Sequence, residues 1–365
     1  MKFSCDRIKL QDVLSTLQSV VATNTTLPIL SNILIEASDK KELTLTATNL
    51  EVGTQFKIEA DISESGSCTL PGKKLFEIAR EMIGASIDIE ISSDYIGIIK
   101  SGNAVYRLMG LASDEFPRLP RLDKVHSVKM AEDAVKDLFK KTAYAISNDE
   151  TRYVLNGVYF IISKGEIVVV ATDGRRLAMV KRKCDVDANL EVGIIIPAKT
   201  IHELVRLLHG EKEIEILFSE THVGFKRDRM LMISRLIEGK FPNYEQVIPK
   251  KTREKVDIGR EEFLHLVRRV ALITDGRSNM VKFKFHDGSL TLTATNPEIG
   301  EAKDDMPIEY NKEEFNIAFN PAFLVDALKA LEEEKISIEF SDSTAPGVIK
   351  NEEDFTYVIM PMKLR

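Results

Sequence analysis

Apolar and polar residues alternate along several short stretches of the chain, and one of these stretches occurs twice almost unchanged. LTLTATNLEVG at 43–53 and LTLTATNPEIG at 290–300 are identical at 9 of 11 positions, and IVVVATDGRRLA at 167–178 lies between them. In the first copy, leucine and alanine alternate with threonine. This period of two predicts a β-strand with one buried face.

The stretches recur at a nearly constant interval. Their alanines, Ala47, Ala171 and Ala294, are separated by 124 and 123 residues. Self-similarity at a fixed period is typical of a repeated structural unit. The chain is therefore predicted to contain three copies of one module, at 1–124, 125–252 and 253–365.

Each copy also contains two stretches in which apolar residues recur at i, i+3, i+4 and i+7, the period of a helix with one buried face, although Thr142 weakens the first stretch of the second copy. The second helix of each copy is predicted at 71–82, 197–208 and 320–331. The first helix of each copy includes Leu10, Val135 and Phe263 in turn. Between the helices, apolar runs bounded by Gly, Asp and Asn predict strands. Two helices and about eight strands per copy indicate an α+β domain, with a curved sheet and helices on one side.

Composition narrows the class of protein. The chain has 365 residues, of which 44% are hydrophobic and 29% charged, as expected of a soluble globular protein. No apolar run reaches the roughly 18–20 residues of a membrane span, and the charged start lacks the core of a signal peptide. The three cysteines, Cys5, Cys68 and Cys184, lie far apart without a partner motif. They are expected to be buried thiols in the cytoplasm, with neither a zinc site nor another cofactor.

Large repeated modules suggest an arc or a ring, because solenoid repeats are shorter, at about 20–50 residues. Six helices side by side at about 10 Å would close into a circle only ~19 Å across. Twelve helices from two chains give ~38 Å between axes, and an opening near ~28 Å remains once a helix diameter of about 10 Å is subtracted. A DNA duplex, roughly 20 Å wide, fits that opening. A ring of two chains is thus predicted to admit duplex DNA.

The charge distribution bears on this ring hypothesis. A net charge of −7 alone argues against a nucleic-acid partner, since phosphates attract positive potential. The six helical windows nevertheless hold 14 Lys and Arg against 11 Asp and Glu, so the rest of the chain carries −10. Ordinary solvated helix faces would show a similar bias, and that alternative stays open here. In a ring, the residues expected to face DNA, independently of its sequence, are Lys73, Lys74, Arg80, Lys140, Lys141, Lys199, Arg206, Arg268 and Arg269.

Six segments, together with their spacing, resemble the bacterial DNA polymerase III β subunit, the sliding clamp. They are TLPILSNILIEA at 26–37, LTLTATNLEVG at 43–53, RYVLNGVYF at 152–160, ATDGRRLA at 171–178, FPNYEQVIP at 241–249 and YVIMPMKL at 357–364. The resemblance implies three similar α+β domains, with helices lining a central hole and curved antiparallel sheets outside. It also implies a non-catalytic, head-to-tail homodimeric ring around double-stranded DNA, which tethers the replicative polymerase.

The resemblance further implies a peptide-binding cleft where the second and third domains meet. Polymerases, the clamp loader and repair factors would insert short linear motifs there. Apolar side chains and adaptable methionines suit leucine or phenylalanine anchors, and Arg176 with the turn at Gly174 is expected to fix the peptide backbone. The matching positions are Leu155, Thr172, Gly174, Arg176, Leu177, Pro242, Val247, Asn320, Phe323, Val358, Ile359, Met360, Pro361 and Met362. At the dimer joint, Tyr106 of one chain is expected near Leu272 and Ile273 of the other.

Four positions depart from the family pattern. Asn24 and Asp149 replace an arginine and a glutamine in loops where better-known members contact DNA. Gln246 and Ser278 replace a basic and an aromatic residue at the cleft rim. These departures concern affinity for DNA and partners, and they leave the ring unaffected.

Two other functions compete with the clamp. An enzyme would use Asp173 with Arg175 or His202. However, the Thr-Asp-Gly triplet at 172–174 recurs off the repeat register at 274–276, which indicates turn chemistry, and no nucleotide-binding, triad or metal motif accompanies it. The other alternative is a peptide-binding scaffold that never meets DNA. Retention on circular DNA but not on linear DNA would distinguish a ring from such a scaffold.

Overall fold

The computed structural model describes residues 1–22, 25–38, 41–122, 126–184, 186, 190–210, 212–275, 279–351 and 354–363. Within these residues the chain forms six α-helices and 25 β-strands, and the strand ladders are antiparallel. One order of elements occurs three times: a strand, a helix, four or five strands, a second helix and three strands. The prediction of two helices and about eight strands per copy is confirmed. Asn24 and Ser278 lie outside the described residues.

The elements of the first copy are β1 Lys2–Asp6, α1 Arg7–Val20, β2 Asn32–Ala37, β3 Glu42–Thr48, β4 Val52–Glu59, β5 Asp61–Glu64, β6 Gly66–Pro71, α2 Gly72–Glu81, β7 Ser86–Ile91, β8 Ile96–Ser101 and β9 Ala104–Met109. Those of the second are β10 His126–Ala131, α3 Glu132–Lys140, β11 Gly157–Ser163, β12 Glu166–Thr172, β13 Arg176–Lys183, β14 Val192–Pro197, α4 Ala198–Leu207, β15 Glu213–Phe218, β16 His222–Arg227 and β17 Met230–Arg235. Those of the third are β18 Glu254–Gly259, α5 Arg260–Ala271, β19 Val281–His286, β20 Ser289–Asn296, β21 Gly300–Pro307, β22 Phe315–Phe319, α6 Pro321–Ala330, β23 Lys335–Phe340, β24 Gly347–Lys350 and β25 Phe355–Ile359.

The helices form where the apolar period predicts them, and the predicted faces are buried. The stripe of α1 at Leu10, Val13, Leu14 and Leu17 is almost inaccessible to solvent. The side chain of Asp6 caps this helix by accepting a hydrogen bond from the Lys9 backbone nitrogen at 2.9 Å.

The threonines of β3 differ from the expectation of one exposed face, because Thr46 and Thr48 are as buried as the residues between them. Their hydroxyls are hydrogen-bonded: Gln55 Nε2 donates to Thr46 at 3.2 Å, and Thr48 donates to the Val52 carbonyl at 3.0 Å. Buried hydroxyls with partners carry little desolvation penalty. The C-terminal half of β3 is therefore covered on both faces.

The chain divides into two compact units. The first contains Met1–Ala134 and His202–Leu236. It holds a five-stranded sheet in the order β5-β1-β7-β8-β9 and an eight-stranded sheet in the order β10-β15-β16-β17-β4-β3-β2-β6. The helices α1 and α2 pack against each other, and α1 lies on β3 and β4.

The second unit contains Val135–Ile201 and Ile237–Arg365. It holds an eight-stranded sheet in the order β14-β11-β12-β13-β25-β24-β23-β18 and a four-stranded sheet in the order β21-β20-β19-β22. The helices α5 and α6 pack against each other, and α5 lies on β20 and β21.

The expectation of one sheet per module is wrong, because both eight-stranded sheets continue from one copy into the next. The first does so where β17 pairs with β4, and the second where β13 pairs with β25. An edge strand exposes a row of unpaired N–H and C=O groups, which the neighbouring copy satisfies at these places. The strands of the middle copy are consequently divided between the two units.

Cys5 and Cys68 are buried as predicted, whereas Cys184 is only half-buried. Burial, with the nearby carboxylates of Asp6 and Asp88, raises the pKa of the Cys5 thiol to about 12. Among the described residues, no helix is long and apolar enough to cross a bilayer, and no cluster of three metal-binding side chains is present.

Candidate functional site

One face of the eight-stranded sheet in the second unit carries an apolar cluster to which several predicted cleft residues belong. Thr172, Leu177 and Val358 are direct cross-strand neighbours on β12, β13 and β25. Leu155, from the 3-10 turn Glu150–Leu155, packs in the same cluster. We call this surface the groove floor. Its other buried members on the sheet are Val168, Val170, Met179 and Ile195.

The segment 237–248 covers part of the groove floor. The Phe241 ring stacks on the Tyr159 ring with centroids 4.9 Å apart, and the Tyr244 ring meets the Tyr159 ring edge-on at 6.4 Å. Sequence patterns alone did not assign these three aromatic residues to the site. The signal was available for Tyr159, which alternates in phase with Ile161 along β11 and so shares the face of the floor.

The rim of the groove exposes apolar side chains. Val247 is 49% exposed and Met360 is 45% exposed, and Pro242 is also exposed. Beyond β25 the chain is held by backbone hydrogen bonds, from the Met360 nitrogen to the Arg175 carbonyl at 2.9 Å and from the Met362 nitrogen to the Ala318 carbonyl at 2.8 Å. Met362 and its neighbour Pro361 are half-buried. A buried floor with an exposed apolar rim suits apolar anchors of a short peptide.

Ile359 does not belong to the groove, contrary to the expectation from the family pattern. Successive residues of a strand point to opposite faces, so Ile359 lies opposite Val358. It is 1% exposed and packs with Phe319 and Gly347 beneath the sheet. Its role is in the core.

The turn between β12 and β13 is built by its own polar side chains. Asp173 Oδ1 accepts hydrogen bonds from the backbone nitrogens of Arg175 at 2.8 Å and Arg176 at 3.0 Å. Thr172 Oγ1 accepts from the Gly174 nitrogen at 3.1 Å, and Gly174 has φ +84°, a conformation that favours glycine. The carboxylate proposed for an enzyme thus serves turn formation, as the off-register triplet indicated.

Arg176 makes its principal contacts inside the chain. Its guanidinium donates to Asp173 Oδ2 at 3.1 Å, to Asp326 Oδ2 at 2.7 Å and to the Tyr144 carbonyl at 2.6 Å. It also lies 4.4 Å from the centroid of Phe323. Burial opposes its charge, but the two carboxylates raise its pKa above the ordinary value. Arg176 was expected to fix a peptide backbone, and the structure instead uses it to join the turn to α6.

Asn320 and Phe323, two other predicted cleft residues, lie at the start of α6. Asn320 caps α6 by accepting a hydrogen bond from the Ala322 nitrogen at 3.0 Å. The Phe323 carbonyl accepts from Tyr357 Oη at 2.9 Å. Burial is the main cause that raises the pKa of Tyr357, so this phenol remains a donor at neutral pH.

Lys141, predicted to face DNA, is buried in an ion cluster, and that prediction is wrong. Its Nζ lies 3.4 Å from Asp137, 3.3 Å from Glu333 and 3.5 Å from Asp354, and its side chain is 7% exposed. Arg182 bridges Asp137 at 2.8 Å and Asp354 at 2.6 Å. A lysine this enclosed cannot reach a phosphate. We call these five residues the ion cluster.

The remaining basic candidates are exposed on their helices. Lys140 and Lys74 pair with Glu332 and Glu77, at 2.8 and 2.6 Å. The other pairs are Arg80 with Glu81, Arg206 with Glu203 and Arg269 with Asp304. Lys73, Lys199 and Arg268 form no ion pair with the described residues. Exposure is compatible with a DNA-facing role, which stays a prediction.

The strands β9 and β21 lie at sheet edges, although the strands at the same positions in the other repeats pair with a neighbouring repeat. In repeat order, β9 corresponds to β17 and β25, whereas β21 corresponds to β4 and β13. β9 is the last strand of its five-stranded sheet and β21 the first of its four-stranded sheet. Tyr106 on β9 is 41% exposed, and Leu272, just after α5, is 79% exposed. Ile273 is half-buried.

These observations define a class of protein: a triplicated α+β chain with continuous sheets and a candidate peptide groove. Models of the DNA polymerase III beta subunit match the chain along its length, with the N-terminal domain at residues 1–120, the central domain at 129–243 and the C-terminal domain at 245–363. The chain therefore belongs to the DNA polymerase III beta subunit family, and it has the three-domain sliding-clamp fold.

Relatives and solved structures agree with this assignment. The beta sliding clamp of Chlamydia muridarum is 36% identical over 364 residues, which cover 100% of this chain and 99% of that protein. The beta sliding clamp of Bacillus subtilis is 32% identical over 377 residues, covering 100% of both. The crystal structure of the DNA polymerase sliding clamp from Bacillus subtilis superposes with a TM-score of 0.96 at 31% identity, over 100% of both chains.

Proposed function

We propose that this protein is a DNA sliding clamp: a non-catalytic processivity factor that closes around duplex DNA as a head-to-tail homodimer. It acts in the cytoplasm and tethers the replicative polymerase. Other polymerases, the clamp loader and repair factors would share its groove. Its domains extend over 1–124, 125–252 and 253–365. The observation that carries the proposal is the pair of edge strands β9 and β21.

Where two repeats of the chain meet, the last strand of one repeat pairs with an inner strand of another. β17 pairs with β4 and β25 pairs with β13, whereas β9 and β21, the corresponding strands, have no such partner among the described residues. In the proposed dimer, a second chain supplies the missing partner strand for each. A heterologous contact repeated in this way generates a closed ring when its rotation closes.

The repeat also predicts the register of the intermolecular pair. The hairpins β8–β9 and β16–β17 have equivalent two-residue turns, so Tyr106 corresponds to Met232. Met232 faces Thr54 on β4. Thr54 corresponds to Ala302, because each faces the repeat alanine of the preceding strand. Tyr106 is therefore expected opposite Ala302 of the second copy.

This register places Arg107 of β9 opposite Glu301 of β21. A cross-strand pair of opposite charge contributes roughly 0.2–1 kcal/mol, whereas like charges directly opposite are destabilising. Leu272 and Ile273 follow α5, which packs on β21, so we expect them to contact β9 of the second chain around Tyr106. Charge and apolar contact would together hold the joint.

Closure around DNA leaves Lys73, Lys199 and Arg268 as the strongest candidates to face the duplex. Contacts with phosphates alone read no base sequence and so permit sliding. Encirclement supplies retention without high affinity.

The test combines the mass of the protein in solution with its retention on circular and linear DNA. Light scattering is expected to give twice the chain mass of 41.1 kDa for the wild type. Arg107→Glu and Glu301→Arg should each shift the equilibrium towards the monomer, and the two together should restore the dimer. Loaded onto nicked circular DNA, the wild type should be retained and then be lost on linearisation. Unchanged dimerisation in both single variants would refute the register, and equal behaviour on circles and linear DNA would refute the ring in favour of a scaffold.

A further inference from the structure

The junction between the first and second domains is built from the same parts as the groove. The cross-strand row through the groove floor continues into β24 and consists of Thr172, Leu177, Val358 and Val348. The corresponding row in the first unit crosses β3, β4, β17 and β16 and consists of Thr48, Gly53, Ile233 and Gly224. Two large apolar residues of the groove row are thus replaced by glycine.

The segments that approach the two rows, 116–122 and 241–247, begin with phenylalanines that pack at equivalent positions. Phe116 is buried and packs with Ile29, Leu30 and the partly buried Leu34. Phe241 likewise packs with Leu155, Val154 and Tyr159 in the groove. Leu34 and Tyr159 occupy the third position of β2 and of β11. The segments 116–122 and 241–247 are therefore equivalent linkers at two equivalent junctions.

Beyond the phenylalanine, the first linker lies directly on the two glycines. A Cβ atom added to Gly53 would overlap Leu119 Cδ2, and one added to Gly224 would overlap Leu122 Cδ1. Neither glycine has a positive φ, so the backbone conformation does not require glycine at these positions. Glycine permits a close approach of another group to the backbone. Space for the two leucines is thus the reason for glycine here.

We infer that the first junction is a second peptide groove, whose ligand is the chain's own segment 116–122, with Leu119 and Leu122 as anchors on Gly53 and Gly224. The ligand class is an extended peptide with leucines three residues apart. The cis ligand fastens the first domain to the second and excludes external peptides, so partner peptides find one open groove per chain. The inference uses the proposed peptide function only in this last comparison.

The direct test opens the second groove and offers its ligand in trans. The variant Leu119→Ala with Leu122→Ala should bind one more equivalent per chain of a fluorescein-labelled synthetic peptide of residues 116–122 than the wild type binds. The same peptide with both leucines replaced by serine should not occupy that site. A folded variant, with wild-type circular dichroism, that binds no additional peptide would overturn the inference.

The same titration separates this groove from the proposed cleft. With Val247→Ser and Met360→Ser added, both on the exposed rim of the cleft, the additional equivalent should persist. Its loss together with cleft binding would assign the extra peptide to the cleft and refute the second groove. Its absence in a variant that still binds peptide at the cleft would refute the inference and leave the proposed function intact.

If the double alanine variant does not fold, a double-mutant cycle tests whether Leu119 lies on Gly53. Gly53→Ala should lower the melting temperature, and adding Leu119→Ala should cost less than the sum of the two single changes, because truncation removes the overlap. Gly53→Ala with Leu122→Ala is the matched control and should be additive. Additivity in both pairs would show that Leu119 does not occupy Gly53.

Discussion

Replacement of Lys141 by methionine tests the ion cluster. The substitution keeps much of the side-chain length and removes the charge. Lys141 lies within 3.5 Å of three carboxylates, those of Asp137, Glu333 and Asp354. Without it, Arg182 is the one cation of the cluster left to balance three buried or half-buried anions. We expect a large loss of stability although no partner or DNA contact is removed.

The magnitude follows from the distances. At an effective dielectric constant of about 20, one contact at this range is worth ~5 kcal/mol before desolvation is subtracted. Desolvation of the lysine opposes much of the summed attraction, and measured losses on breaking a buried pair are about 3–5 kcal/mol. We expect a loss in this range at pH 7. Lys140→Met is the matched control, since its exposed pair with Glu332 should contribute about 0–1 kcal/mol.

The penalty should depend on pH in a defined direction. Burial raises the pKa of Asp354, but hydrogen bonds from Arg182 and Asn351 and the charge of Lys141 outweigh it and hold the pKa below the ordinary 3.8. The pKa of Glu333 is likewise held below 4.5, against its burial. A carboxylate with a lowered pKa contributes stability above its unfolded value and loses it as the pH falls through the folded value. The Lys141→Met penalty should therefore be complete at pH 7 and shrink below about pH 4.

Urea titrations of the wild type and of both methionine variants at pH 7 and pH 3.5, followed by circular dichroism, measure these differences. A Lys141→Met variant within about 1 kcal/mol of the wild type at pH 7 would contradict the reasoning. An equal penalty at the two pH values would show that the carboxylates do not provide the stabilisation.

Two further outcomes test the groove and the DNA-facing helices. Val247→Ser with Met360→Ser should weaken binding of a labelled peptide with leucine and phenylalanine anchors at least tenfold in fluorescence anisotropy, whereas Leu27→Ser, at a similarly exposed 50%, should leave it unchanged; equal loss in the control would refute the groove. Lys199→Glu with Arg206→Glu should shorten retention on circular DNA and make it less dependent on salt, because fewer phosphates are neutralised, without changing the melting temperature, and unchanged retention would remove α4 from the DNA-facing surface.

The helices were predictable because their signal is local. The stripe at Leu10, Val13, Leu14 and Leu17 reports burial of one face of α1, whatever that face packs against. The same applies to the turn at 172–174, whose side chains bond to backbone within three residues. The cleft positions could be found only through resemblance, because their residues come from segments about 200 positions apart.

Other features could not be predicted from local patterns. Lys140 and Lys141 are adjacent, and no periodicity distinguishes the exposed one from the one enclosed by Glu333 and Asp354. Val358 and Ile359 are both apolar strand residues, and the register of β25 against β13 decides which one faces the groove. Both outcomes depend on neighbours contributed by distant segments.

The threefold repeat, the six helices and the family could be predicted without coordinates, because each is encoded in short spacings or in residue identity along the chain. Contacts in the folded chain decided which strands pair between repeats, which strands lie at sheet edges, and that Leu119 and Leu122 lie against Gly53 and Gly224. Those features depend on contacts between residues far apart in sequence. A hydrophobic pattern records that a residue is buried, and only the folded chain shows by what.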